Sequence, residues 1–233
     1  LVLFQTLFNM KEPMVAFDIA LHGGTLLAVL VYFFGDIRDV LTDFWETISR
    51  RNPEKIKGIA GVQPPHKGLW ICILITLIPT GLIAVIFKDF FEKAFSNLSF
   101  VACAWFVMGI GLILSERFQK GQKDLACVHY GDAFWVGLAQ GIALAPGISR
   151  SGSTILAGMA LGLRKETAAK FSFLISVPAV AGAILLDLKR GMAFLVSYPA
   201  PMVTGFVISA VTGYLAVRWL MGIIQKGQFF FFG

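Results

Sequence analysis

The 233 residues carry 20 Lys and Arg against 14 Asp and Glu, a net charge of +6, yet 57% are hydrophobic and only 15% charged. A soluble domain is about half apolar and about a quarter charged, so this composition, with a mean hydropathy of +0.76, excludes an ordinary soluble domain. Most basic residues lie between apolar runs, which assigns them to lipid headgroups and topology and excludes nucleic acid as partner. Cys72, Cys103 and Cys127 are too few and too scattered for a disulfide framework or a metal site.

A membrane-crossing helix needs about 17–25 apolar residues. In chain order the runs of that length are Val15–Phe34, Gly68–Phe87, Leu98–Ser115, Phe171–Leu188 and Met202–Ile224. Polar connectors are expected at Gly35–Lys67, Lys88–Asn97, Glu116–Asp132 and Lys189–Ala200, with Lys88, Asp89, Glu92 and Lys93 in a short solvated loop. His22, one turn after Asp18, reads as a proton carrier facing a site or as a hydrogen-bonded core histidine. Asp18 itself caps its helix or faces headgroups. His66 and His129 fall in connectors and are assigned nothing.

Ala133–Leu163 breaks the pattern. Two apolar pieces, Ala133–Ala145 and Thr154–Leu163, are each too short to span and are separated by PGISRSGS, which carries a full charge. Irregular backbone at membrane depth survives only when protein or a water-filled cavity surrounds it. The expectation is a re-entrant hairpin of two half-helices. The fold class is therefore all-α, polytopic, with 1–233 forming one membrane domain.

The chain also repeats. Lys11-Glu12 with Phe17 recurs as Lys165-Glu166 with Phe171, and Thr80-Gly81 with Ala84-Val85 recurs as Thr212-Gly213 with Ala216-Val217. Residues 1–115 read as the remainder of a first repeat and 116–233 as a second, containing the hairpin 133–163. Six basic residues (Arg38, Arg50, Arg51, Lys55, Lys57, Lys67) place Gly35–Lys67 on the cytoplasmic side. Lys189–Ala200 then lies outside and the two repeats are inverted, an arrangement that puts sites near the midplane.

The turn between the half-helices carries the chemistry. Pro146 and Gly147 stop the first half-helix. Ser149, Ser151, Ser153 and Thr154 offer hydroxyls, and Gly152 lets backbone N–H groups come close to a ligand. Arg150 supplies a forked cation suited to two phosphate oxygens. The second half-helix starts just beyond, aiming its N-terminal dipole at the same place. This set favours an anion with several oxygens. The competing reading is a plain helix break whose Arg150 snorkels to headgroups.

PGISRSGST, with GLAQG upstream and AAKFSFLISVP downstream, resembles the second signature of the integral-membrane undecaprenyl-diphosphate phosphatases, the bacitracin-resistance family. Phe17–Phe33, FDIALHGGTLLAVLVYF, resembles that family's first half. The resemblance implies hydrolysis of the C55 polyprenyl diphosphate in the bacterial cytoplasmic membrane, recycling the lipid carrier for cell-wall precursors. Carried over, Arg150, Ser149, Ser151 and Thr154 are catalytic, and Gly147, Gly152, Ser153 and Gln140 bind substrate. It also implies a divalent cation (magnesium or calcium), bacitracin as a competitor for the substrate lipid, and a homodimer. The family's glutamate-rich signature, expected to hold the cation, is absent. The repeat places its counterpart before Leu1, so this chain alone is expected to be inactive. A transporter or flippase for an anionic substrate is the alternative class, since inverted repeats with broken helices suit it equally well.

Overall fold

The computed structural model describes residues 15–49, 68–95, 97–115, 121–197 and 199–225. Nine α-helices are described: α1 (Val15–Tyr32), α2 (Phe34–Ile48), α3 (Leu69–Ile86), α4 (Lys88–Phe95), α5 (Leu98–Leu114), α6 (Tyr130–Ile142), α7 (Arg150–Ala160), α8 (Lys165–Ser197) and α9 (Pro199–Gln225). No named strand occurs among the described residues. Three helical stretches are long and apolar enough to cross a membrane alone: α3, Lys165–Leu186 within α8, and α9. α1 and α5 reach that standard only when joined to α2 and α4, which makes up to five spans. The protein is a multi-pass α-helical membrane protein.

Three expected connectors are helical in whole or in part. Phe34, Leu41, Trp45 and Ile48 recur along one stripe of α2 among Asp36, Arg38, Asp39, Asp43 and Glu46, and all four apolar residues are exposed. A stripe at helical spacing makes an amphipathic helix even in a charge-rich segment. Lys88–Phe95, expected as a solvated loop, is helix α4, with an exposed Lys88–Glu92 pair at 3.8 Å on consecutive turns. The expected external connector Lys189–Ala200 is mostly the end of α8. Pro199 serves as the first residue of α9, where its missing N–H would have no intrahelical acceptor anyway.

The chain divides into two compact units, Leu1–Phe33 with Ser176–Gly222, and Phe34–Ile175 with Ile223–Gly233. In the first, α1 crosses α9 at small residues. A Cβ on Gly24 would stand 2.3 Å from the Phe206 carbonyl oxygen, and Ser209 Oγ donates to the Leu21 carbonyl at 3.0 Å. In a bilayer, such close approach replaces the hydrophobic drive that lipid cannot supply. His22 in this unit is exposed, with Nδ1 2.7 Å from the Asp18 carbonyl oxygen, so it is not a core histidine.

In the second unit α6 lies against α3, and α7 packs on α6 and on α5. A Cβ on Gly137 would stand 2.4 Å from the Thr76 carbonyl oxygen, which sets how closely α3 and α6 meet. Lys123 shows that Ala133–Leu163 is a hairpin. Its Nζ reaches Asp132 at the start of α6 (3.3 Å), its N–H donates to the Gly162 carbonyl (3.0 Å), and its carbonyl accepts from the Arg164 N–H (3.1 Å). One residue holds both ends of the hairpin, so the chain enters and leaves at the same level. Asp132 also accepts from the His129 N–H at 3.1 Å, capping α6.

Candidate functional site

α6 ends at Ile142, and the chain turns through 143–149 before α7 begins at Arg150. The second half-helix thus starts earlier than the apolar run Thr154–Leu163, because Ser149 is a good N-cap. Its Oγ accepts the Gly152 N–H at 3.2 Å, satisfying one of the helix's first donors. Gly147 makes the turn possible. It adopts φ +92°, and a Cβ there would stand 2.6 Å from the Val101 carbonyl oxygen. The turn sits so tightly on α5 that no larger residue fits.

Arg150 is the first residue of α7 and half-buried, and its guanidinium has no hydrogen bond or ion pair among the described residues. The Ser151 hydroxyl is likewise without a partner among them. The N–H groups of Arg150 and Ser151, the first two of the helix, have no intrahelical acceptor. The start of α7 therefore presents a cation, hydroxyls and backbone donors at the positive end of a helix dipole, the arrangement that suits an oxyanion.

The other expected site residues are engaged in packing. The Thr154 hydroxyl lies within hydrogen-bond distance of the Arg150 carbonyl (2.9 Å), the Ser151 carbonyl (3.2 Å) and Ser172 Oγ on α8 (2.5 Å), and Thr154 is 2% exposed. It ties the first turn of α7 to α8 instead of offering its hydroxyl to a ligand. Ser153 Oγ lies 3.5 Å from Met108 Sδ on α5, and Gly152 is buried, its Cβ position 2.8 Å from Met108 Cε. Gln140, expected to face the turn, is buried against α3. Its Nε2 donates to Thr80 Oγ1 at 3.1 Å, while Thr80 Oγ1 lies 2.8 Å from the Thr76 carbonyl and 2.9 Å from that of Gly137. Gln140 Oε1 is buried without a partner among the described residues.

An open groove of about 390 Å³ borders the turn. Trp105, Met108, Gly109 and Leu112 of α5 form one wall, and Gly147, Ile148 and Ser149 the other. The divalent cation expected from the family does not fit these residues. Among the described residues no group of three His, Cys, Asp or Glu could hold a metal ion, and a cation beside hydroxyls is a poor donor set for another cation.

The family model for the bacitracin resistance protein BacA matches residues 1–233. The chain belongs to that family. Among its curated relatives, a BacA-family protein of Halothermothrix orenii is 36% identical over 230 residues, covering 98% of this chain and 82% of the relative. One from Carboxydothermus hydrogenoformans is 37% identical over 236 residues, covering 100% and 82%. One from Methanobrevibacter smithii is 38% identical over 216 residues, covering 92% and 78%. All three are named undecaprenyl-diphosphatase.

Sequence reasoning missed four participants in this BacA-family hairpin. Ser172, Thr80, Met108 and Lys123 hold it from other elements. Ser172 lay within the AAKFSFLISVP segment, and Thr80 served only as a repeat marker. Nothing in either residue's local sequence says which partner it meets.

Proposed function

We propose that the complete protein hydrolyses undecaprenyl diphosphate to undecaprenyl phosphate and inorganic phosphate, and that the start of α7 receives the diphosphate. Water supplies the entering oxygen at the terminal phosphorus. The bridging P–O bond breaks, and the bridging oxygen leaves with the lipid monophosphate. Arg150 meets two non-bridging oxygens through its planar fork, and Ser149, Ser151 and the first N–H groups of α7 take others. Charge stabilisation of this kind is usually the largest single contribution to phosphoryl transfer. Thr154 and Ser172 act one step back, holding the turn that carries Arg150. The observation that carries this reading is Arg150 at a helix N-terminus in a membrane protein with no partner among the described residues, since an uncompensated cation there is costly and marks function.

The two-repeat arrangement, with 116–233 as the repeat containing the hairpin, the bacterial cytoplasmic membrane as location, bacitracin as a competitor for the substrate lipid, and a homodimer belong to the same reading. So does a magnesium or calcium requirement, tested by chelation and metal add-back; no step is assigned to the ion.

The decisive experiment is release of inorganic phosphate from polyprenyl diphosphate by the purified complete protein in detergent. Release with turnover supports the hydrolase. Movement of intact lipid across a vesicle bilayer without phosphate release would install the transporter instead.

A further inference from the structure

We propose that the groove between α5 and the hairpin turn holds the first isoprene units of the substrate's tail. This rests on the hydrolase reading. A polyprenyl diphosphate joins its charged end to its apolar chain through a single oxygen, so an apolar channel must begin where the anion site ends. The groove meets that requirement. Ser149 lines its wall and is also the N-cap of α7, one residue before Arg150, which has no partner among the described residues. The other described cavity, about 210 Å³ between Cys72, Leu125, His129 and Tyr130, lies at the base of the hairpin.

Size and lining agree with the assignment. At roughly 30 Å³ for each small group, 390 Å³ accommodates on the order of a dozen heavy atoms, about two isoprene units. Trp105, Met108, Leu112 and Ile148 give it apolar walls, and Gly109 lines it without a side chain. Met108 is a flexible, polarizable surface suited to the bent, unsaturated chain. Trp105 is 52% exposed, so the groove opens sideways and a tail can enter without leaving an apolar medium. Lipid is as apolar as leucine, so the groove adds little through transfer from water. Its contribution is orientation: it fixes the first carbons and thereby aims the diphosphate at α7.

The test fills the groove with Gly109→Leu in the complete protein. Two quantities are read: kcat/KM for farnesyl diphosphate, and the inhibition constant of inorganic diphosphate, which has no tail. The first should fall roughly tenfold or more, the scale on which a filled apolar pocket discriminates, while the inhibition constant stays within about twofold. A parallel weakening of both, or no change in either, overturns the assignment. Photolabelling of the unsubstituted protein with a diazirine-bearing farnesyl diphosphate is independent of whether Gly109→Leu folds. Adducts within Trp105–Leu112 that unlabelled polyprenyl diphosphate displaces support the proposal. Adducts elsewhere, or displacement by ordinary phospholipid alone, give the groove to bilayer lipid. If no substrate is hydrolysed, the hydrolase reading fails first, and the photolabelling still reports on the groove.

Discussion

The two faces of the hairpin contrast sharply. On the α3 side, Gly137 brings backbones nearly into contact, Thr80 and Gln140 hydrogen-bond across the seam, and Gln140 is 1% exposed. On the α5 side a groove stays open, and Ser151 and Arg150 at the start of α7 have side chains with no partner among the described residues. One motif therefore contains two kinds of polar residue. Those with partners elsewhere in the protein hold the hairpin in place. Those without a partner among the described residues are the ones the proposed function assigns to the diphosphate. The residue type does not separate them: Thr154 and Ser151 both carry hydroxyls three positions apart, yet only Thr154 is buried against Ser172.

Disturbing the closed side should give the largest stability effects. Gly137→Leu places a branched side chain where even a Cβ meets the Thr76 carbonyl at 2.4 Å. Overpacking of that kind costs about 1–3 kcal/mol or more, so Tm in detergent should fall by several degrees or the protein should not be recovered. An unchanged Tm would mean that α3 and α6 do not meet at Gly137. At the edge between the two sides, Gly147→Ala combines a left-handed backbone with a contact at 2.6 Å. A cost of roughly 1–3 kcal/mol follows, with loss of turnover as the turn lifts from α5.

Thr154→Val keeps shape but removes the hydroxyl that Ser172 meets. Leaving Ser172 unsatisfied costs about 1–3 kcal/mol, and Thr154→Ser should restore both Tm and turnover. Failure of serine to rescue would show that the methyl group, not the hydrogen bond, matters. The smallest effect should be that of Gln140→Leu. Its Oε1 already lacks a partner and Thr80 keeps its backbone acceptors, so removing the amide should change stability by less than about 1 kcal/mol. A large loss of activity with Tm intact would instead place Gln140 among the residues that touch the ligand.

Part of this contrast was readable from the sequence. Long apolar runs identified α3, α8 and α9, and two short ones flanking a charged, proline-containing turn identified the hairpin. α2 and α4 were missed because their charges were counted without regard to phase: Phe34, Leu41, Trp45 and Ile48 are far apart in sequence but share one stripe. The extra length of α8 was missed because hydropathy reports which residues suit lipid, whereas Asp187, Lys189 and Arg190 end an apolar run without ending a helix. At the site, Arg150 and Ser149 were legible because their chemistry is local, in a cap and a helix terminus. The engagement of Thr154 and Gln140 was not, because it depends on Ser172 and Thr80, brought close only by folding. Lys123 falls within the expected polar connector Glu116–Asp132 and proved to be the residue that closes the hairpin.

Arg150 is the residue on which the proposed chemistry most directly depends. Arg150→Ala in the complete protein should lower phosphate release at saturating substrate by about 10²–10³, the loss that follows removal of one charge-stabilising contact in a water-poor site. Arg150→Lys should recover only part of it, since lysine keeps the charge and loses the planar fork. Tm should stay close to that of the unsubstituted protein, because Arg150 makes no hydrogen bond or ion pair among the described residues. Near-normal turnover with Arg150→Ala would contradict the account and leave Arg150 as a headgroup anchor.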